Sequence, residues 1–325
     1  MTRDPEPAEE RSESDAAPAP RRRHPLILAL HLIGYALGLV LMGYCVWTAI
    51  EGDALARLGQ ATPLQILGLF LCSFVSVTAH GATWWLLMRP LVRLSFNRVQ
   101  AINAIASLLF YAPAKLSVVA RVALHRRADR LGYGRMAAWF VAGSLCMGVP
   151  FAAMILPALM VGLPVAARIG VSFAAMLAGV AAIVLVARFH LIGRLLRGSE
   201  RMLIHPHIVA GAVLLRFLDL SAMTLRLRLA CDVLGQPVSL SDAYALTVMP
   251  LLGGVISPIG ALGAREWLTG LLGRLVDATE QETFQSAATV ATAAEASVLI
   301  VLGLIGLILI RPHRRFETPN SNITE

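Results

Sequence analysis

The sequence predicts an all-α, polytopic membrane protein with about six full spans plus two re-entrant helical hairpins in an inverted-topology repeat. Three observations carry this reading. Of 325 residues, 57% are hydrophobic and 15% charged, with a mean hydropathy of +0.70, whereas soluble domains run at about 45–50% apolar and about 25% charged. Six apolar runs reach the ~20 residues that a helix needs to cross ~30 Å of hydrocarbon. Two further runs are interrupted near their centres by proline and small residues. A water-soluble enzyme does not fit this composition. Neither does a nucleic-acid binder, despite a net charge of +8 and a pI near 10.0, because the basic residues cluster between apolar runs.

Residues 1–24 form the first segment. Six acids lie in the first twenty positions among Ser, Pro and Ala with no apolar period, which predicts a disordered cytoplasmic tail. Arg21-Arg22-Arg23 then abuts the run 26–50. That run is too long for the apolar part of a signal peptide and has no small-residue cleavage site, so it is expected to stay as the first span. The other spans fall at about 64–88, 136–162, 168–188, 208–230 and 284–310. The membrane domain is therefore 25–310, in halves of 25–163 and 164–310, with a second cytoplasmic tail over 311–325.

The interrupted runs are 99–124, which breaks at Ala112-Pro113-Ala114, and 242–275, which breaks across Gly253-Gly254, Ser257-Pro258, Gly260 and Gly263. The pieces flanking Pro113 have about 11–13 residues, or ~16–20 Å of helix. Neither can span, but a pair can reach the midplane and return. Broken backbone at that depth is tolerated only against protein or a wet cavity. Charge supports the return. Of 28 basic residues 27 are arginine, and with the N-terminus inside, Arg89, Arg93, Arg98 and the groups Arg121–Arg135, Arg188–Arg201 and Arg311–Arg315 are all cytoplasmic. The outer loops keep only Arg57, Arg168 and Arg274. This positive-inside pattern holds only if 99–124 re-enters. Three crossings in the first half then insert the second half upside down, and broken helices at matching positions of such a repeat mark a transporter's binding site.

The hairpin tips read Pro113-Ala-Lys115-Leu-Ser117-Val-Val-Ala-Arg121 and Pro258-Ile-Gly260-Ala-Leu-Gly263-Ala-Arg265-Glu266. A helix is expected to start after each break, where free N–H groups and the dipole favour an anion. Lys115, the single lysine, falls in a first turn where the dipole disfavours a cation unless an anion joins it; snorkelling to the interface is the bland alternative. Within the spans, Arg216, Asp219 and Arg226 share one helical face, and Glu295 sits near the centre of the last span. A charge at the bilayer centre costs about 2.5–3.5 kcal/mol, so each is expected to face the interior with a partner. A structural ion pair and a polar pathway account for them equally well. Gly303 and Gly306 read as close helix packing. Cys45, Cys72, Cys146 and Cys231 stand singly and read as small buried thiols, and His205-Pro-His207 as polar surface. There is no nucleophile elbow, P-loop, dinucleotide turn or acidic metal cluster. No enzyme activity, cofactor or metal is therefore expected.

The two hairpin motifs resemble those of the polytopic domain of lysylphosphatidylglycerol synthetases and of flippase-like proteins built from that domain alone. Pro258 to Glu266, ending in Gly263-Ala-Arg265-Glu266, follows the second family motif well. In the first, Ala114 and Ser117 stand where the family usually has glycines, and Lys115 where arginine is commoner. The resemblance implies translocation of a membrane lipid across a bacterial inner membrane. Combined with the anion-favouring tips, it nominates Pro113, Lys115, Arg121, Pro258, Gly260, Gly263, Arg265 and Glu266 for an anionic lipid headgroup. The soluble aminoacyltransferase domain is expected to be absent, since fifteen residues follow Ile310. Two other readings are a membrane-embedded lipid-modifying transferase and a non-catalytic scaffold for hopanoid or glycolipid biosynthesis enzymes.

Cysteine-accessibility labelling on a cysteine-free background tests the topology. Positions 126–130 are expected to label only from the cytoplasmic side, and positions near Arg57 and Asp232 only from outside. External labelling at 126–130 overturns the re-entrant hairpin.

Overall fold

A computed structural model of the chain describes residues 25–51, 53–111, 116–159, 164–189, 198–256, 263–276 and 281–310. Both predicted tails, and Pro113, Lys115, Pro258 and Gly260, lie outside the described residues. Every regular element among the described residues is helical: α1 (Pro25–Glu51), α2 (Ala54–Gly59), α3 (Pro63–Met88), α4 (Phe96–Leu108) with a 3-10 turn at Leu109–Tyr111, α5 (Leu116–Asp129), α6 (Tyr133–Leu159), α7 (Val165–Arg188), α8 (Glu200–Leu203), α9 (Pro206–Val233), α10 (Leu240–Ile256), α11 (Ala264–Val276) and α12 (Gln281–Ile310). The chain is all-α. Stretches of α3, α6, α7, α9 and α12 are long and apolar enough to cross a membrane, and α1 matches them at 27 residues. The bundle's outer face carries exposed Leu177, Leu185, Ile300, Leu307 and Leu309. A surface that apolar is stable against lipid tails and not against water.

Local chemistry sets the helix ends. Thr62 and Gln65 form a reciprocal capping box at the start of α3, and Pro63 occupies the first helical position, where its missing N–H costs nothing. At the end of α9, Gln236 N–H donates to the Cys231 carbonyl at 2.9 Å and Gly235 N–H to the Asp232 carbonyl at 3.1 Å. Gly235 has φ 75°, the left-handed conformation this helix stop demands. Arg57 donates to the Leu234 carbonyl beside it, placing a cation on the negative end of the helix dipole.

The half-length helices behave as hairpins. α4 has 13 residues and α5 has 14, each about 20 Å long and too short to span. They pack on each other. Arg98, near the start of α4, donates to Asp129 Oδ1 at 3.1 Å and the Ala128 carbonyl at 3.4 Å, at the end of α5. Both ends of the hairpin therefore lie on one side. His125 Nδ1 sits 2.7 Å from the other Asp129 oxygen. Burial raises the Asp129 pKa, but the His125 ring and the Arg98 guanidinium outweigh it and hold the carboxyl below its ordinary range. In the second hairpin α10 and α11 also pack together, with the Thr269 hydroxyl 3.5 Å from the Leu246 carbonyl.

One expectation is corrected. α10 continues through Pro250 and Gly253-Gly254 to Ile256, so those glycines do not interrupt it. Glycine costs a helix only about 1 kcal/mol. An unpaired backbone group in apolar surroundings costs more.

α3 and α9 lie side by side at the centre and run antiparallel, with Ser73, Ser76 and His80 facing Arg226, Asp219 and Arg216 in turn. The Arg57–Leu234 contact marks the side where α3 starts, α9 ends and the second hairpin enters. The first hairpin begins beyond the other end of α3. The hairpins thus enter from opposite sides. Packing repeats between the halves: α3–α4 matches α9–α10, α4–α12 matches α10–α6, α1–α12 matches α7–α6, and α3–α12 matches α9–α6. These four pairings are those of an inverted repeat, although the packing of α11 on α12 has no comparable counterpart between α5 and α6 among the described residues.

Gly306 lets α12 approach α4, since a Cβ there would stand 2.9 Å from the Ala101 carbonyl oxygen. Gly306→Val is expected to destabilise the fold by about 1–3 kcal/mol, read as a lower Tm in detergent. Gly148→Ala, with nothing within 4 Å of the added methyl, should leave Tm unchanged or slightly raised.

Candidate functional site

The α3–α9 seam carries a ladder of polar side chains through an apolar interior. Arg226 donates to Ser73 Oγ at 3.2 Å, Ser76 donates to Asp219 Oδ1 at 2.5 Å, and Arg216 pairs with Asp219 one turn away. His80 lies beside that pair, with Nδ1 3.2 Å from Arg216 Nη1 and 3.5 Å from Asp219 Oδ2. Further along, Arg226 Nη2 donates to Glu295 Oε2 of α12 at 2.6 Å. The i, i+3, i+10 spacing keeps Arg216, Asp219 and Arg226 on one face of α9, as the sequence predicts.

The second hairpin joins this ladder. Gly263, with φ 72°, precedes α11 and accepts the Trp267 N–H at 3.0 Å; few residues other than glycine adopt that φ cheaply. Arg265 then falls in the first turn. Its Nη2 donates to Thr292 Oγ1 at 2.5 Å, and its Nη1 reaches Glu295 Oε2 at 3.4 Å. Thr292 Oγ1 in turn donates to Glu266 Oε1 at 2.5 Å, and Glu266 pairs with Arg265 at 3.3 Å. Glu266 is buried behind Arg265 as its anchor.

The first hairpin contributes Arg121. Its Nη2 donates to Asn103 Oδ1 of α4 at 2.8 Å, and its guanidinium lies over the Trp84 ring of α3, 4.7 Å from the centroid. The Asn103 amide is aimed by a 3.2 Å bond to the Val77 carbonyl. Among the described residues no carboxylate stands within ion-pair distance of Arg121.

These groups surround one cavity of about 260 Å³, lined by Ser117 and Arg121 of the first hairpin, Leu251 and Arg265 of the second, and His80, Arg216, Asp219 and Glu295 of the long helices. It has room for several waters. That suits a small polar headgroup and excludes a whole diacyl lipid. Its walls carry three arginines against two carboxylates among the described residues, while Arg226 and Glu266 behind them cancel. Low dielectric leaves that excess cation poorly screened. The Nε atoms of Arg216 and Arg226 have no hydrogen-bond partner.

The structure therefore brings Arg121 and Arg265 together with Arg216, Asp219 and Glu295, which sequence reading kept as a separate set. Gly263 shapes the turn, while Glu266 and Arg226 stand one layer back. Sequence reasoning missed His80, Trp84, Asn103 and Thr292. The available signals were a lone histidine inside span 64–88, an amide on a hairpin arm, and the i, i+4 spacing of His80 and Trp84. All four cysteines are free thiols, and Gly306 packs as predicted. Among the described residues no group of His, Cys, Asp and Glu could hold a metal ion. No protein-family model, curated protein or solved structure matches this chain.

Removing one partner of a buried ion pair strands the other. Glu295→Ala should cost about 3–5 kcal/mol of stability, and Arg226→Met combined with Glu295→Met should recover most of it. Thermal unfolding in detergent reads both.

Proposed function

We propose that this chain is a multi-pass inner-membrane protein, with both termini cytoplasmic, that flips or scrambles an anionic amphipathic lipid. The headgroup occupies the central cavity between the hairpins and the tail stays in the bilayer. One observation carries the reading: an arginine from each of two oppositely inserted hairpins, Arg121 and Arg265, meets Arg216 at a single cavity. The resemblance of both hairpin motifs to lipid-translocating domains supports a lipid as the cargo, and the distribution of arginines supports the orientation.

Arginine holds a phosphate through two parallel N–H bonds. Arg121 offers nearly its full charge, since its partners are a neutral amide and an aromatic face. Arg265 is committed to Thr292 and Glu266, but its contacts to Glu295 are long, 3.4 and 3.5 Å, against 2.6 Å from Arg226 to the same oxygen. An arriving anion displaces the long contacts while Arg226 keeps Glu295 neutralised. The headgroup thereby bridges the two hairpins without stranding a buried charge.

Leaflet-resolved transfer of tail-labelled phosphatidylglycerol in proteoliposomes tests this. Arg121→Gln and Arg265→Gln should each slow transfer about tenfold, the loss of about 1.4 kcal/mol, and the double variant should fall to the protein-free rate. Transfer at the wild-type rate by a folded double variant overturns the headgroup site.

A further inference from the structure

The geometry points to His80 as a proton carrier that couples movement of the anion to a proton gradient. This rests on the translocation reading above and supplies its driving force.

A neutral imidazole has one lone pair and one N–H, yet two donors approach His80. Trp84 Nε1–H donates to Nε2 at 3.1 Å, and Arg216 Nη1 lies 3.2 Å from Nδ1. The indole is a donor only, whereas Arg216 already has Asp219 as acceptor. The lone pair therefore belongs to Nε2, and the ring proton to Nδ1, facing Asp219 Oδ2 at 3.5 Å. Every other charged group facing the ring comes from a named element. Arg216 and Asp219 project from α9 and Arg121 from α5, and Arg265 of α11 and Glu295 of α12 share the cavity. The residues α4 and α6 present there are uncharged. A quarter of the His80 side chain is exposed, and it opens into the cavity, so a proton has access.

A second proton must go to Nε2. It turns the acceptor of the Trp84 N–H into a donor and breaks that bond. The Trp84 ring is also the platform under the Arg121 guanidinium, so protonation loosens one of that arginine's two supports while its bond to Asn103 remains. It also adds positive charge to walls that already carry an excess. With the cavity empty this is unfavourable, and with an anion bound it is not. Proton and anion thus favour each other's binding by the same factor. The states that cross are the empty neutral one and the anion-loaded protonated one. One proton leaves water on the acidic side for Nε2 as the headgroup enters, and returns to water on the alkaline side as it leaves. A monoanionic headgroup then crosses with no net charge moved through the bilayer.

The full-length protein in proteoliposomes, with tail-labelled phosphatidylglycerol and an imposed pH gradient, tests the coupling against protein-free vesicles. The wild type should enrich the labelled lipid in the leaflet facing the alkaline compartment, approaching about tenfold per pH unit at equilibrium for one proton per anion. Collapsing the gradient should abolish the enrichment. His80→Gln keeps an acceptor for Trp84 and a donor for Asp219 but cannot take the proton, so it should give equal leaflets at any gradient, whatever its rate. Trp84→Phe keeps a ring under Arg121 and frees Nε2. The pH at which transfer responds should then rise by about half to one unit, the worth of one neutral hydrogen bond. Wild-type transfer that ignores the gradient, enrichment by His80→Gln, or an unmoved pH response in Trp84→Phe overturns the coupling and leaves translocation standing. No transfer by the wild type overturns translocation itself and the coupling with it.

Discussion

The ion pair between Arg226 and Glu295 is the contact on which the rest of the interior depends. It joins α9 to α12 in surroundings where an unpaired ion would cost several kcal/mol, and its 2.6 Å bond leaves Glu295 a second, looser edge toward Arg265. From there the constraint runs outward in both directions. Arg265 and Glu266 tie the first turn of α11 to Thr292, which fixes where the second hairpin tip begins. Along α9, the same helical face carries Asp219 and Arg216 back to His80 and the first hairpin. Most ionised groups in this interior are held by a neighbour that another helix positions. The polar seam and the helix arrangement are therefore one structure, and neither can form without the other.

Much of the fold was legible in the sequence because lipid is a strict solvent. A span needs a full run of apolar residues, and a run that fails leaves few alternatives, so the hairpins could be read from Pro113, Pro258 and the side on which arginines accumulate. The end of α10 was less legible. Gly253-Gly254 signals a break only if the backbone has somewhere else to satisfy its hydrogen bonds, and inside this bundle the helix itself is the cheapest place. The charged residues of α9 were legible as a face but not as a site. Whether Arg226 meets Glu295 or Asp219 depends on the antiparallel register of α3 against α9 and on how α12 crosses them, and no local pattern encodes either. Glu266 shows the same limit from the other side. Its motif places it beside Arg265, but whether it faces the cavity or anchors that arginine depends on Thr292, twenty-six residues away.

The two halves share a backbone plan but not a charge plan. Arg121 rests on an amide and an indole, while Arg265 is bound by Thr292 and two carboxylates. An anion at the cavity gains more from Arg121, whose charge is unspent, than from Arg265, whose partners must first yield. A pair of identical hairpins would grip a headgroup equally from both sides and give it no preferred side of release. Under the proposed translocation, the unequal grip would set a tight side and a loose one. The tight side is also the one wired to a titratable group, because Arg121 lies on the ring whose N–H is held by His80. Under the proposed coupling, control of the stronger hold would lie with a single proton, and the weaker hold would be left to the ion pairs around Glu295.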